Sequence, residues 1–102
     1  MNLSMMKRAL ELKSNLDRAQ KELGKMTVEA QSDRGAVRVT ANGQQKILSI
    51  TISPELIDPD RADKLEKQVL KAVTEALDKS RKLASKHLSK LTGGIKIPGI
   101  TE

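Results

Sequence analysis

Basic side chains recur at helical spacing along two segments of the chain, and their chemistry is that of phosphate binding. Ammonium and guanidinium groups set along a helix neutralise the phosphates of a nucleic acid and release its condensed counterions. The candidates toward the C-terminal end are Lys79, Arg81, Lys82, Lys86 and Lys90. Those of the N-terminal segment, opposite its apolar residues, are Lys7, Arg18, Lys21 and Lys25. Both sets predict contact with a polyanion.

The distribution of charge supports this prediction more than the total charge does. The net charge is +6, yet in residues 1–78 the 13 basic residues oppose 12 acidic ones. Residues 79–102 hold six basic residues and a single acid, Glu102. The alternative is that the basic rows are only the solvated sides of amphipathic helices. Arg81 also lies near the edge of an apolar stripe, so its stem could pack there instead.

Residue types narrow the kind of polyanion. Lysine outnumbers arginine among the candidates, and lysine binds phosphate as a point charge, whereas arginine reads guanine through a planar fork. The chain has no Phe, Tyr or Trp, the side chains on which single-stranded nucleic acids stack. No helix-turn-helix or zinc-finger spacing is visible. We therefore predict contact with the backbone of duplex DNA and low sequence specificity.

The sequence lacks the patterns of catalytic and metal sites. His87 is the only histidine and has no carboxylate nearby in sequence to orient it as a base, so we predict a surface or interface residue. Asp58, Asp60 and Asp63 lack the spacing of a calcium loop and suit the positive end of a helix. There is no cysteine and no phosphate-binding glycine loop. We predict a non-enzymatic protein without metal, cofactor or small-molecule substrate.

The apolar runs of the sequence are short. None approaches the ~20 residues that cross a bilayer, and the N-terminus lacks the apolar core of a signal peptide. The absence of cysteine fits a reducing cytosol. Attachment to an anionic membrane is disfavoured because the apolar stripes are needed for the core. The sequence predicts a cytoplasmic protein that does not bind membranes.

An amphipathic helix is predicted over residues 4–24. Its apolar positions recur every three or four residues, and Gly24 is predicted to end it. The residues of this stripe are Met5, Ala9, Leu12, Leu16, Ala19 and Leu23.

A second, longer helix is predicted from Pro59 to Leu91. Asp58 followed by Pro59 is typical of an N-cap and a first helical residue, and Gly93-Gly94 marks the end. At ~1.5 Å per residue this helix is about 50 Å long, whereas a compact domain of this size has a radius of gyration of about 13 Å. Its far end must therefore project, bend or pack against a partner.

Between the helices the apolar residues alternate, as in half-buried antiparallel strands. The pair Asn42-Gly43 predicts a two-residue type I′ turn, in which both central residues have positive φ. This turn sets Val37 opposite Leu48 and places the apolar side chains of both strands on one face. A further strand is predicted over residues 26–31. The expected fold class is α+β, with a helix, a three-stranded antiparallel sheet and a long C-terminal helix.

The predicted core is thin for an independent domain. The chain has 102 residues, of which 37% are hydrophobic and none is aromatic, so we expect burial shared with a second copy. Residues 1–92 are expected to form a single domain, and residues 93–102 a flexible Gly/Pro tail. The predicted dimer interface comprises Val37, Val39, Leu48, Ile50, Ile52, Leu3, Met6 and Leu10.

The segments VRVTANGQQKILSITISPELI and KLTGGIKIPG, preceded by a Met- and Lys-rich helix, resemble the YbaB/EbfC family of bacterial nucleoid-associated proteins. The likeness spans nearly the whole chain and rests on the order and spacing of these motifs. It implies an intertwined or sheet-mediated homodimer whose helices project like the arms of tweezers. It further implies binding to DNA with limited sequence preference, in the nucleoid, where such proteins organise the chromosome.

A second interpretation is an adaptor protein for replication or repair partners. Its helices would present Leu3, Met6 and Leu10, together with residues 95–100 of the tail. The basic charge would then be incidental.

Overall fold

The computed structural model describes residues 2–91, and the predicted tail lies outside them. Three antiparallel strands in the order β1-β2-β3 form one sheet. The elements are α1 (Leu3–Lys25), β1 (Thr27–Ser32), β2 (Val37–Asn42), β3 (Ile47–Ile52) and α2 (Ala62–Leu91). Short 3-10 turns span Asp33–Gly35, Pro54–Leu56 and Pro59–Arg61. The predicted α+β class and element order are confirmed.

Side-chain caps start α1 and the 3-10 turn that precedes α2. Asn2 accepts a hydrogen bond from the backbone N–H of Met5 at 2.8 Å, which satisfies one of the free donors of the first turn of α1. Asp58 accepts one from the N–H of Asp60 at 3.0 Å. The predicted cap at Asp58 is therefore present, but it starts the 3-10 turn, and α2 proper begins at Ala62.

The main core lies between the sheet and the first half of α2. Val37, Val39 and Ala41 alternate along β2 and are fully buried beneath Ala72 and Ala76 of α2. The small alanine side chains let the helix lie close to the sheet. α2 packs chiefly on β1 and β2, so β3 is left at the uncovered edge of this layer.

A second cluster joins the two helices beyond the sheet. Leu23 and Ala19 of α1 pack with Leu88 of α2. We call α1 and residues 80–91 of α2 together the arm. The described chain measures 67 × 21 × 18 Å with a radius of gyration of 18.5 Å, well above the about 13 Å of a compact domain. The far end of α2 thus projects beyond the sheet, and it packs against α1.

The hairpin does not have the predicted turn. Val37 pairs with Ile52 and Val39 with Ile50, and a bulge lies between Thr40 and Ala41. The predicted register, with Val37 opposite Leu48, is therefore wrong. The loop is longer because the Asn42 side-chain oxygen accepts the N–H groups of two loop residues, at 2.9 Å and 3.1 Å. These residues are Gln44 and Lys46.

Gly43 is required for a different reason from the one predicted. The residue of this loop with positive φ is Gln45, at 60°. The Gly43 N–H instead donates to the Leu23 carbonyl at 2.9 Å and to the Met26 carbonyl at 3.0 Å. A Cβ at Gly43 would lie 2.8 Å from the Leu23 carbonyl oxygen. A close approach of α1 to the loop, and not a type I′ turn, explains this glycine.

We expect Gly43→Ala to lower the free energy of unfolding by about 3 kcal/mol, because the added methyl group overlaps the backbone of Leu23. Gly24→Ala is the matched control, since its nearest obstacles are atoms of the Gln44 side chain, which can rotate away. Urea titration followed by circular dichroism measures both. Equal destabilisation by the two substitutions would show that the close approach at Gly43 is not the cause.

Candidate nucleic-acid interface

The arm brings together basic residues that are far apart in sequence. α1 runs toward the sheet and ends at the loop after β2, while α2 leaves the sheet beside the same loop, so the two helices of the arm are antiparallel. All nine predicted DNA contacts are exposed. They are Lys7, Arg18, Lys21, Lys25, Lys79, Arg81, Lys82, Lys86 and Lys90.

Three lysines form an open row on α2. Lys82, Lys86 and Lys90 are each four residues apart, so their side chains follow one another along the helix. No carboxylate among residues 2–91 lies within ion-pair distance of any of them. Three exposed ammonium groups without a fixed counter-charge in the described part of the chain make a linear positive surface, which is the electrostatic requirement for a phosphate backbone.

Two other predicted contacts on α2 have partners within the protomer. The Lys79 ammonium donates to the backbone carbonyl of Glu29 in β1 at 2.8 Å. Arg81 forms an ion pair with Asp78 at 2.9 Å, in which both side chains are more than half exposed. An exposed pair of this kind contributes little to stability, so Arg81 remains able to exchange its partner for a phosphate. Lys79 is instead held at the outer edge of the sheet.

A polar contact between the helices organises one side of the arm. His87 of α2 lies 2.8 Å from a carboxylate oxygen of Glu22 of α1. Residues three or four positions apart share a helix face. Arg18 and Lys25 are therefore beside Glu22, and Lys90 is beside His87. The arm thus gathers two basic residues of α1 and one of α2 along the Glu22–His87 contact.

The carboxylate partner of His87 was not anticipated from the sequence. The two residues are 65 positions apart, so no local pattern could reveal the contact. His87 is half-buried between the helices, as expected of an interface residue, but the interface is within the protomer. Among residues 2–91 no group of three or more His, Cys, Asp or Glu side chains is arranged to hold a metal ion.

The first turns of α1 form a free segment. Every residue from 3 to 15 is exposed. Lys7 lies here, and so do Arg8 and Lys13, two basic residues that the sequence-based set missed. Lys21 lies further along α1, in a shallow depression that Lys13 and Asp17 also line. The Asp17 carboxylate reduces the positive charge there.

The predicted dimer residues divide into a buried and an exposed group. Val37 and Val39 are 0% exposed and belong to the core beneath α2, so they cannot contact a second chain. Leu48 and Ile50 of β3 are 48% and 47% exposed. Ile52 is half-buried and lines an apolar groove. Its other lining residues, on α2, are Leu65, Glu66, Val69, Leu70 and Val73.

This groove continues the exposed face of β3. Leu70 at its rim is 67% exposed, and large apolar side chains grouped in this way on a monomer mark an interaction site. The other three predicted interface residues lie on the free segment of α1, where Leu3 is 75% and Leu10 66% exposed. Met6 is exposed beside them. The described chain therefore has two separate apolar surfaces.

An α+β protomer with a row of exposed basic residues along a projecting arm presents a surface suited to a nucleic-acid backbone. The chain belongs to the YbaB/EbfC DNA-binding family, whose sequence profile matches residues 1–95. It is 44% identical over 96 residues to a nucleoid-associated protein of Pelotomaculum thermopropionicum, covering 94% of this chain and 91% of that one. A nucleoid-associated protein of Moorella thermoacetica is 41% identical over 95 residues, covering 93% and 91%.

The fold is similarly represented among solved structures. The crystal structure of the uncharacterized protein HP0035 from Helicobacter pylori superposes with a TM-score of 0.79 at 15% identity, covering 91% of this chain and 99% of that chain. Within residues 2–91, neither helix has a stretch that is both long and apolar enough to span a membrane.

Proposed function

We propose that the protein binds duplex DNA with low sequence specificity, as a homodimer, through the basic surface of its arm. The observation that carries this proposal is the row Lys82, Lys86 and Lys90, exposed and without a carboxylate partner among residues 2–91. The family is a DNA-binding family, and the relatives are named nucleoid-associated proteins. The proposed place of action is therefore the bacterial nucleoid, in the cytoplasm.

The chemistry of the row favours contact with phosphates over contact with bases. A lysine ammonium group binds a phosphate oxygen without the planar geometry that distinguishes one base from another. Arg18 and Lys25 extend the surface onto α1. We assign Lys7, Lys21 and Arg81 to its periphery, and Lys79, which is bound to Glu29, to support of the sheet.

The second copy is proposed to pair across β3 and the adjoining groove. The outer edge of β1 is occupied by the Lys79 ammonium group, and a lysine at an edge strand opposes pairing with another strand. Within residues 2–91 no lysine ammonium group binds β3 in this way, and Ile50 of β3 and Leu70 of the groove expose apolar surface. A homodimer formed here covers that surface and gives the assembly two arms.

Salt dependence of DNA binding tests the proposal. If the two rows of a dimer neutralise about six phosphates, the log of the association constant falls against the log of the salt concentration with a slope of about −5. Fluorescence anisotropy with a labelled 30-base-pair duplex measures this slope, and a second duplex of scrambled sequence should give nearly the same affinity. Absence of binding at low salt would disprove the proposal. A large difference between the two duplexes would disprove low specificity.

The free segment of α1 favours a second candidate function, that of an adaptor for replication or repair proteins. Leu3, Met6 and Leu10 expose apolar surface that the described core does not use. Reversing the charge of Lys82 and Lys86 separates the two functions, because DNA binding needs those ammonium groups and an apolar contact on α1 does not. Loss of captured protein partners in that variant would count against an adaptor surface on α1.

A further inference from the structure

We propose that the loop of residues 42–46, with Ser80, fixes the direction of the arm relative to the sheet. Ser80 and Gln44 are then positioning residues for DNA binding, although neither is basic. The inference rests on the proposed function, because the arm is the part that is proposed to hold DNA. Hydrogen bonds connect this one loop to both helices.

On one side the loop holds the end of α1. The Gly43 N–H donates to the carbonyl groups of Leu23 and Met26. The Gln44 side-chain amide donates to the Gln20 carbonyl at 2.6 Å. Leu23 lies in the last turn of α1, where carbonyl groups have no donor within the helix, so the Gly43 N–H supplies a donor at the end of α1. Gln44 adds a contact one turn earlier, at Gln20. Hydrogen bonds that satisfy a helix end also fix its direction.

On the other side the loop holds α2 through a single buried serine. The Ser80 hydroxyl donates to the Asn42 carbonyl at 2.6 Å and accepts the Gln45 N–H at 3.1 Å. Ser80 is 0% exposed and lies where α2 leaves the sheet and meets α1. Alanine has the higher helix propensity at such a position, but it would leave both loop groups without this partner. The hydroxyl therefore has a role that helix formation does not explain.

The lever formed by the arm makes small rotations at this loop important. Lys7 is 17 residues from Gly24, which corresponds to about 25 Å of helix. A rotation of 10° at the loop would move Lys7 by about 4 Å, more than the 3.4 Å rise between successive phosphates of one strand. A loosened loop would then lower DNA affinity by removing preorganisation, with every basic side chain still present.

Distances between two spin labels, measured by double electron–electron resonance, test the proposal directly. The chain has no native cysteine, so Glu11→Cys on the arm and Gln31→Cys on the sheet, both exposed, accept spin labels selectively. Doubly labelled protomers are diluted with unlabelled chain to remove distances between copies. We expect a narrow distribution in the parent protein and a distribution about twice as wide with Ser80→Ala. Gln44→Ala should widen it less, since the Gly43 contacts remain.

Duplex affinity of the unlabelled variants is measured alongside. Ser80→Ala should bind the duplex about tenfold more weakly, and Gln44→Ala should also bind it more weakly. Thr74→Ala, which removes an exposed hydroxyl from the same helix, is the control. It should change neither the affinity nor the distance distribution. A lower melting temperature with unchanged distances would overturn the inference, and so would lost affinity with unchanged distances. Gln44→Ala keeps the test decisive if Ser80→Ala does not fold. A parent protein that binds no DNA would refute the proposed function, while the distances would still test the loop.

Discussion

Replacing Lys82, Lys86 and Lys90 together by glutamate should weaken binding of duplex DNA by at least about 100-fold near 0.1 M salt. Each substitution removes a cation that can displace a counterion from DNA and adds an anion that the phosphates repel. The variant changes the net charge from +6 to zero. Anisotropy titration with a fluorescent duplex gives the affinity, and circular dichroism checks that the exposed row can be changed without loss of the helices.

A matched control on the same helix distinguishes the row from net charge. Lys64, Lys67 and Lys71 are also exposed lysines of α2, but they lie on the part that covers the sheet. Their replacement by glutamate produces the same net charge and should reduce affinity by no more than about fivefold, through the long-range field alone. Equal losses in the two triple variants would contradict a binding surface located on the arm.

The elements of the fold could be predicted because their signals are local. The apolar period of α1 and α2 and the alternation along β2 depend on spacings of two to four residues, which the sequence displays directly. The cap at Asp58 is equally local. The predicted hairpin register was wrong because an Asn-Gly pair can be required for more than one physical reason. Gly43 is small to admit the Leu23 carbonyl, a neighbour supplied by another element.

For the candidate interface, too, local features could be predicted from the sequence and long-range contacts could not. Exposure of the basic residues follows from the apolar stripes opposite them, and it was predicted for the set apart from Arg81, for which packing of the stem was the alternative. The partners that these side chains bind within the protomer were not predictable. Lys79 binds the Glu29 carbonyl across 50 positions, and the neighbouring His87 contacts the Glu22 carboxylate across 65. Tertiary contacts of this range decide which cations remain available. The row of α2 beyond Lys79 is thus a smaller and better defined surface than the charge count indicated.

Substituting Ile50 and Leu70 by glutamate should convert the proposed homodimer to a monomer. Both side chains are about half exposed or more, so the monomer can fold with them changed, whereas two carboxylates in an apolar interface cannot be desolvated without a large penalty. Light scattering coupled to size exclusion should show the mass fall from twice the protomer mass of 11.2 kDa to that mass. Loss of the second arm should lower duplex affinity about 100-fold.

The free segment of α1 provides the comparison that decides which apolar surface holds the dimer. Leu10 is 66% exposed, almost the same as Leu70 at 67%, but it lies on the arm and not beside β3. Leu10→Glu should leave the dimer intact if the copies meet across β3. A monomeric Leu10→Glu together with a dimeric Ile50→Glu/Leu70→Glu protein would place the contact on the arms instead. The two copies would then meet through their helices and not through their sheets. The side chains of α1 buried in that contact could not also contact DNA.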